Sequence, residues 1–285
     1  MPIDLHLHTQ ASDGTLTPQA LLTAAKEAGL TAVAITDHDA TTSLAEAGRI
    51  AAGLGLTFIP GVEVSASYTP DLSLHILGYG IDPQNQELCE ILRQNQKAWA
   101  QSEEDSIAAL EKINIKIDRE QYNYWLTHPE RGGWPLLNTM IAMGLVRNYK
   151  EYFEKYFGWG QPAYITITFA SPPAVISAIK AAGGVPVLAH PGVYQEGATK
   201  LISRPAFLET LIAWGIEGLE AIAGYHSPEE TAFLLSCCER YNLLVTGGSD
   251  YHGEFAGRKL GTPVVDERYL SPLLSAIDRA KQHKK

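Results

Sequence analysis

The 285-residue sequence has few cysteines and no long apolar segment, and each shortage excludes a class of protein. Cys89, Cys237 and Cys238 are odd in number, include an adjacent pair and lack the spacing of zinc ligands. They indicate reduced helix residues rather than a disulfide framework. No window approaches the roughly 18 apolar residues of a membrane span, and the N-terminal MPIDLHLHT has no basic segment before an apolar run. We therefore expect a cytoplasmic protein without a membrane partner.

Basic residues are also in short supply. Lysine and arginine number 22 against 32 aspartates and glutamates, which gives a formal net charge of −10. Sequence-independent binding to a nucleic-acid backbone needs a stripe of Lys and Arg, so a long nucleic acid is not an expected partner. A small phosphorylated substrate remains compatible with this charge, because bound divalent cations would reverse it locally. No feature of the sequence indicates an oligomeric state.

Short β-rich apolar runs alternate with segments of helical period through most of the chain. Seven such runs occur in this order: IDLHLHT, TAVAIT, TFIPGVEVSA, LHILGYG, VPVLAH, IEGLEAI and LLVTGGS. The alternation predicts parallel strands joined by crossover helices, and seven strands are enough to close a small barrel. A chain of this length with 45% hydrophobic residues can bury one large core. We therefore predict an α/β barrel.

The alternation stops between residues 82 and 164, where Gln, Glu, Lys, Tyr and Trp occur with helix-like spacing. We predict an inserted helical cap subdomain at 82–164 and a catalytic barrel formed by 1–81 and 165–285. The insert follows the LHILGYG strand and is expected on the side where barrel enzymes build their active sites, as a lid or specificity cap. Four aromatic residues could form its small core or stack on terminal bases: Tyr122, Tyr124, Trp125 and Trp134.

Histidines and carboxylates recur at the carboxyl ends of the predicted strands, where barrel folds concentrate catalytic groups. His6 and His8 are two apart on one strand, so their side chains share a face and could hold one ion. The remaining candidates follow other strands or open them: Asp13, His38, Glu63, His75, His190, Asp250 and His252. Nine ligands exceed what one ion can use. We therefore predict two or three divalent metal ions, and imidazole and carboxylate donors suit Mn²⁺, Zn²⁺ or Fe²⁺.

Other polar residues adjoin these ligands. Asp37 and Asp39 flank His38 and are expected to orient it, whereas Glu220 either orients a ligand or forms a buried charge pair. His226 follows the IEGLEAI strand, so it could protonate a leaving oxygen or be an ordinary loop residue. His128 lies in a polar loop and is expected to be exposed to solvent.

Seven segments in order carry a family resemblance: DLHLHTQASDGTLTP, AITDHD, GVEVS, LHILGYG, GGVPVLAHPG, GLEA with YHSPEE, and GGSDYHG. Together they resemble the PHP (polymerase and histidinol phosphatase) family. The resemblance is strongest to stand-alone bacterial phosphoesterases with a helical insertion, a group that includes nucleoside 3′,5′-bisphosphate phosphatases. It implies a distorted (β/α)7 barrel and a di- or trinuclear centre on the nine ligands, with Glu63 as the bridging carboxylate.

The resemblance also implies a reaction. The chain is expected to be a metal-dependent phosphoesterase that hydrolyses a phosphomonoester or a small phosphodiester. A hydroxide held between two ions would attack phosphorus, and an acid such as His226 would assist the departing alkoxide. Chelation of the metals should abolish turnover.

The insert departs from the pattern of the bisphosphatases. They carry Gly-Arg-Pro-His-Ile-Ala where residues 133–138 of this chain read GWPLLN, and they often carry Arg where this chain has Val193. The cations that would bind a second phosphate are therefore absent, and Trp134 could contact the substrate instead. Arg131 could partly replace the missing cations if its loop bends inward. We expect poor activity on 3′,5′-bisphosphates and a pocket for a less charged or more apolar group.

Three alternative functions use the same residues. A PHP exonuclease acting on short nucleic-acid ends would need the same metals. A non-catalytic metal-binding module would usually have lost ligands, and a phosphatase assay distinguishes it from an enzyme. Hydrolysis of a carbon–nitrogen bond by an amidohydrolase barrel would use similar His and Asp clusters, although the early Glu63 and the SDYH segment fit the PHP pattern better.

Overall fold

A computed structural model describes residues 1–253 and 256–283 of the chain. The strands are β1 (Pro2–Leu7), β2 (Ala32–Ile35), β3 (Thr57–Thr69), β4 (Leu72–Tyr79), β5 (Val185–Leu188), β6 (Gln195–Glu196), β7 (Thr199–Lys200), β8 (Gly218–Ala223), β9 (Leu244–Gly248) and β10 (Val265–Asp266). The helices are α1 (Pro18–Glu27), α2 (Leu44–Leu54), α3 (Gln86–Lys112), α4 (Arg119–Thr127), α5 (Pro135–Ala142), α6 (Tyr149–Tyr152), α7 (Pro172–Ala181), α8 (Pro205–Trp214), α9 (Pro228–Tyr241) and α10 (Leu270–His283).

Eight strands form one sheet in the order β10-β1-β2-β3-β4-β5-β8-β9. The segment after β9 returns to β1, where Tyr251 pairs with Leu7 and the backbone N–H of His8 donates to the Tyr251 carbonyl at 3.0 Å. The sheet is therefore nearly closed into a barrel. The predicted barrel is confirmed, and all seven predicted strands are present. The short strand β10 and the β6–β7 hairpin were not predicted.

The direction of β4 differs from the prediction. We expected parallel strands throughout, but β4 runs antiparallel to both β3 and β5. Only Pro70 and Asp71 separate β3 from β4, and a two-residue connection permits antiparallel pairing alone, since a parallel crossover needs about a dozen residues. His75 consequently lies within a strand, opposite Ser65 of β3, and not beyond a strand's carboxyl end.

Apolar side chains on the two faces of the strands form two cores. In β2, Val33 and Ile35 belong to the outer core, which includes buried residues of the surrounding helices. The alternate residues Ala32 and Ala34 belong to an inner core, as expected from the two-residue period of a strand. Helix α10 packs Leu273, Ala276 and Ile277 against this inner core and closes one end of the barrel.

Helix α3 connects the barrel to the helical insert. Asn85 accepts a hydrogen bond from the Leu88 N–H and caps the start of the helix. The 27 residues of α3 span about 40 Å at 1.5 Å per residue. Leu88 and Leu92 pack in the outer core of the barrel, whereas Ile107 and Leu110 belong to a separate apolar cluster of the insert. The helix therefore connects the core of the barrel to the core of the insert.

The four insert aromatics occupy different environments, and Trp125 is half-buried. Tyr122 is buried in the apolar cluster of the insert, and Trp134 packs at its edge. Tyr124 is exposed, and its ring stacks on that of His128 with a centroid separation of 3.8 Å.

Across residues 1–253 and 256–283, helices that combine the length and the apolarity of a membrane span do not occur.

Candidate metal centre

Glu63 of β3 lies at the centre of the histidine cluster and is fully buried. Five imidazole nitrogens surround its two carboxylate oxygens: His6 Nε2 at 3.0 Å, His8 Nε2 at 3.3 Å, His38 Nδ1 at 3.2 Å, His75 Nδ1 at 3.0 Å and His190 Nε2 at 3.0 Å. The strands that carry these rings are distant in sequence, so barrel closure is what brings them together.

Two aspartates extend the cluster on the other side of His8. Asp250 Oδ1 lies 3.0 Å from His8 Nε2 and 3.2 Å from His6 Nε2. Asp13 Oδ1 lies 3.2 Å from His252 Nε2, and the His252 ring stacks on His8 at a centroid distance of 4.0 Å. All nine predicted ligands are thus brought to one place.

The potential ligand atoms fall into three adjoining groups, each with its atoms within 4.8 Å of one another. The groups are His6, His8, Glu63 and Asp250; His8, Asp13, His38 and His252; and His38, Glu63 and His75. Consecutive groups share members, because Glu63, His8 and His38 each belong to two of them. Glu63 is the carboxylate among the shared members, and a carboxylate shared in this way is the arrangement expected between two neighbouring ions.

Several ligand atoms fit cation binding because they are buried without a hydrogen bond to any described residue. They include both ring nitrogens of His8, Nδ1 of His38, and Oδ1 of Asp13 and of Asp250. A buried polar atom without a partner costs folding free energy, so native structures normally satisfy such atoms. Divalent cations would satisfy all of these at once.

The protonation states favour ligation for some residues and oppose it for others. Burial opposes the charge on Glu63, but His6 and the other rings outweigh it and hold the Glu63 pKa well below its usual range. Burial lowers the pKa of His38 to about 3, so its ring is neutral and able to donate a lone pair. Burial also disfavours charge on His252, yet Asp13 and Asp250 raise its pKa to about 10. Metal binding at His252 must therefore release a proton.

The Glu220 carboxylate of β8 contacts two of the candidate metal ligands, His6 and His190. Its Oε1 lies 2.8 Å from His6 Nδ1, and its Oε2 accepts a hydrogen bond from the His190 backbone N–H at 2.7 Å. An Nδ1–H that donates to Glu220 leaves the Nε2 lone pair of His6 directed toward Glu63 and Asp250. Both residues of this His–Glu pair are fully buried.

Asp37 and Asp39 fix the backbone on either side of His38 and do not bond to its ring. Asp37 accepts hydrogen bonds from the N–H and hydroxyl of Thr9 and from Ser43, which anchors the loop that follows β1. Asp39 accepts from Asn95 Nδ2 at 2.7 Å, so it ties the His38 loop to α3. Asp39 has a φ of 47°, a left-handed conformation that is uncommon for residues other than glycine.

His226 braces the loop that carries His190. Its Nε2 accepts a hydrogen bond from the Gly192 N–H at 3.0 Å, and its Nδ1 lies 3.1 Å from the Ala221 carbonyl. A Cβ on Gly192 would stand 2.4 Å from the His226 ring, so glycine permits this close approach. Because both ring nitrogens bond to backbone atoms, neither is free in this arrangement to protonate a leaving group.

The two predicted substrate contacts have different positions. Trp134 lines a cavity beside the metal cluster, and its neighbour Gly133 donates to the Asp13 carbonyl at 2.7 Å. Arg131 is exposed, and its guanidinium lies over the Trp125 ring with 5.5 Å to the centroid. The inward bend that would let Arg131 replace the missing cations is therefore absent from this structure.

Sequence reasoning missed Arg258 and Tyr225, which both contact Asp250. Arg258 Nη1 donates to Asp250 Oδ2 at 2.6 Å and to the Asp250 carbonyl at 2.8 Å. The Tyr225 hydroxyl donates to the same Oδ2 at 2.7 Å, and the Arg258 guanidinium lies 4.2 Å from the centroid of the Tyr225 ring. Tyr225 follows the predicted IEGLEAI strand directly before His226, whereas Arg258 lies away from any predicted strand end. The position of Arg258, eight residues after the candidate ligand Asp250, was a sequence signal that could have identified it.

Comparisons with known proteins agree with this architecture. A family model described as the PHP domain matches residues 4–157, more than half of the chain. A 3′,5′-nucleoside bisphosphate phosphatase of Chromobacterium violaceum is 35% identical over 97% of this chain and 95% of its own length. A 5′-3′ exoribonuclease of Escherichia coli is 32% identical over 91% of this chain and 89% of its own length.

A solved structure shows the same fold. A protein of Bifidobacterium adolescentis assigned as a metal-dependent phosphoesterase superposes with a TM-score of 0.87 at 31% identity, covering 97% of this chain and 98% of that one. The similarity therefore extends over the barrel and the insert together. The chain belongs to the PHP domain family and is one of its metal-dependent phosphoesterases.

Proposed function

We propose that this chain hydrolyses a phosphomonoester or small phosphodiester of a phosphorylated metabolite at a centre of two or three divalent metal ions. The observation that carries the proposal is the sharing of Glu63, His8 and His38 among three adjoining groups of ligand atoms. A single four-coordinate ion would leave most of these buried atoms without a partner. Imidazole and carboxylate donors without thiolates favour Mn²⁺, Zn²⁺ or Fe²⁺.

Glu63 would bridge two of the ions, because its Oε1 and Oε2 face different histidines. When bound, such ions lower the pKa of a coordinated water and neutralise charge on the phosphoryl oxygens. The protein's part is to fix the ligands. Glu220 selects the tautomer of His6, and Arg258 with Tyr225 holds the outer oxygen of Asp250. Such supporting contacts typically change metal affinity or activity by about 10–100-fold when removed.

His226 acts in this proposal through the position of His190. Its two backbone hydrogen bonds connect β8 to the segment that follows β5, and the Lys200 ammonium contacts the carbonyl of the same Gly192. A substrate can reach the imidazoles of His38 and His75, because their side chains are 22% and 28% accessible to solvent. Proton delivery to the leaving oxygen is therefore not part of the role proposed for His226.

The insert acts as a cap over this centre. Residues of α3, of the segment at 133–135 and of the segment at 152–157 line the cavity into which His38 and His75 face. The division of the chain into a barrel at 1–81 and 165–285 and a cap at 82–164 remains part of this proposal, although Leu88 and Leu92 at the start of α3 pack in the barrel core. A cap so placed would decide which esters reach the metals.

A substrate screen with separate metals tests the proposal. Protein stripped with chelator and reloaded with Mn²⁺, Zn²⁺ or Fe²⁺ is assayed on phosphorylated metabolites, on aryl phosphates and on a 5′-phosphorylated oligoribonucleotide. We expect turnover of small esters that depends on added metal and disappears in Glu63→Gln, with His128→Ala as the matched control. A preference for the oligonucleotide would instead assign an exonuclease activity of the kind named for the E. coli relative. Absence of metal-dependent hydrolysis of every compound would refute the proposal.

A further inference from the structure

A cavity of about 520 Å³ joins the metal cluster to the insert. Asp13, His38 and His75 form one end, so a phosphate placed at the cluster would have the rest of its ester in the cavity. The volume falls within the roughly 300–1,000 Å³ of typical small-molecule sites. The residues that line this cavity therefore determine which group can be attached to the phosphate.

Aromatic rings from the insert and from the segment before α7 form most of the far wall. The rings that line it are Trp99, Trp134, Tyr152, Phe153, Phe157, Tyr164 and Phe169. They support one another: Trp99 packs on Phe169 at a centroid distance of 5.1 Å, and Tyr152 stacks on Phe157 at 3.8 Å. Rings held in this way offer flat faces and edges to a planar ligand at little cost in side-chain entropy.

The formally charged side chains at this cavity are acidic. Among the described residues that line it there is no lysine or arginine, but there are four carboxylates: Asp13, Asp39, Asp71 and Glu103. The Glu103 carboxyl accepts hydrogen bonds from the Tyr122 hydroxyl at 2.8 Å and from the Leu136 N–H at 3.1 Å. A second phosphate would enter this cavity with about two negative charges and no fixed cation to receive it.

We propose that this cavity selects esters with a single phosphate whose alcohol part is an uncharged aromatic group. The inference rests on the phosphoesterase function proposed above and names its substrate class. The aromatic group packs against the surface formed by the Trp134 and Phe153 rings, which contact each other edge to face at a centroid distance of 5.7 Å, while the phosphate lies at the metal cluster. Esters with a second phosphate are rejected because no lysine or arginine among the described lining residues receives it, and the carboxylates outside the metal cluster repel it.

The test compares four compounds with the activating metal: 1-naphthyl phosphate, adenosine 5′-monophosphate, glycerol 3-phosphate and adenosine 3′,5′-bisphosphate. We expect the first two to exceed the last two in kcat/KM by about tenfold or more. Quenching of tryptophan fluorescence by the same compounds measures binding independently of turnover. If no compound is hydrolysed yet the aromatic monophosphates still bind best, the inference stands and the proposed function fails. Equal binding of all four, or a tenfold preference for the bisphosphate, overturns the inference.

Two variants test which residues of the cavity select the aromatic group of the substrate. Trp134→Ala and Phe153→Ala should each weaken binding and raise KM for 1-naphthyl phosphate about tenfold, while kcat/KM for glycerol 3-phosphate stays within about twofold. Tyr124→Ala is the control, because this exposed aromatic belongs to the same insert but lies outside the cavity. Equal losses on both esters in both variants would show that the rings only support the fold, and would overturn the assigned selectivity.

Discussion

Arg258 holds one oxygen of Asp250 while the other oxygen faces the histidines. Arg258 Nη1 lies 2.6 Å from Asp250 Oδ2, and Asp250 Oδ1 lies 3.0 Å from His8 Nε2. The Asp250 side chain is almost fully buried, and its φ of 50° places it in the left-handed region. A buried carboxylate in a strained backbone needs a partner to keep one orientation. Arg258 is thus a positioning residue for a metal ligand.

Removal of Arg258 should therefore weaken the centre without removing a ligand. We expect Arg258→Ala to raise the Kd for the activating metal and to lower kcat by about 10–100-fold, the range for loss of a charged hydrogen bond. Arg258→Lys should restore part of both. Arg240→Ala, an exposed cation over Tyr241, is the control. A fall in kcat with unchanged metal affinity would contradict a role that acts through Asp250.

The sequence predicted the site best where residues of a metal-ligand type stand at the ends of predicted strands. Strand ends in a parallel barrel meet at one mouth, so Asp13, His38, His190 and Asp250 could be expected together from the alternation alone. The reversal of β4 was missed because a strand's direction depends on its connection, and the two-residue turn at Pro70 and Asp71 was overlooked.

The supporting contacts were harder to predict for a different reason. Arg258 and Tyr225 meet Asp250 only after the chain has folded, and no local period or spacing marks such a meeting. His226 was assigned by its place after a strand, which does not reveal that Gly192 and Ala221 occupy its two nitrogens. Side-chain partners depend on tertiary packing, and tertiary packing lies beyond what patterns in a single sequence can show.

Loss of the central carboxylate of Glu63, or of the ligand carboxylate of Asp250, should abolish most activity. Glu63→Ala or Asp250→Asn is expected to lower kcat by at least about a hundredfold with the fold intact, since a missing ligand or bridge removes several kcal/mol of transition-state stabilisation. His128→Ala is the control, because His128 is a half-buried insert residue, less exposed than expected, that stacks on Tyr124 and belongs to none of the ligand groups. Rates near wild type in either ligand variant, or an equal fall in the control, would show that the site is misassigned.

Metal content should match the shared ligand groups. Protein purified without chelator is expected to hold at least two equivalents of transition metal per chain, because three adjoining groups exceed the capacity of one ion. Chelation should abolish activity and lower Tm, since bound ions stabilise only the folded state. Elemental analysis and thermal unfolding with and without chelator measure both. A reproducible value of one equivalent or less after reconstitution with each metal would exclude a multinuclear centre.

Glu103 should make stability depend on pH. Burial raises the Glu103 pKa above its ordinary value of 4.5, against the opposing hydrogen bonds from Leu136 and Tyr122. Because the folded state then binds its proton more tightly, the contribution of Glu103 is fully present at and below its unfolded pKa and is lost as pH rises through the raised pKa.

Glu103→Gln removes this titration while keeping the hydrogen bonds, since an amide can accept from the Leu136 N–H and donate to the Tyr122 hydroxyl. The unfolding free energy of the variant, measured by denaturant titration from pH 4 to 8 in chelator, should rise relative to wild type as pH increases and then reach a plateau. Each unit of pKa difference corresponds to about 1.4 kcal/mol. Glu104→Gln is the matched control, because this neighbour is half exposed and pairs with Arg119 at the surface. A constant offset between Glu103→Gln and wild type at every pH would show that Glu103 does not titrate with a raised pKa in the folded protein.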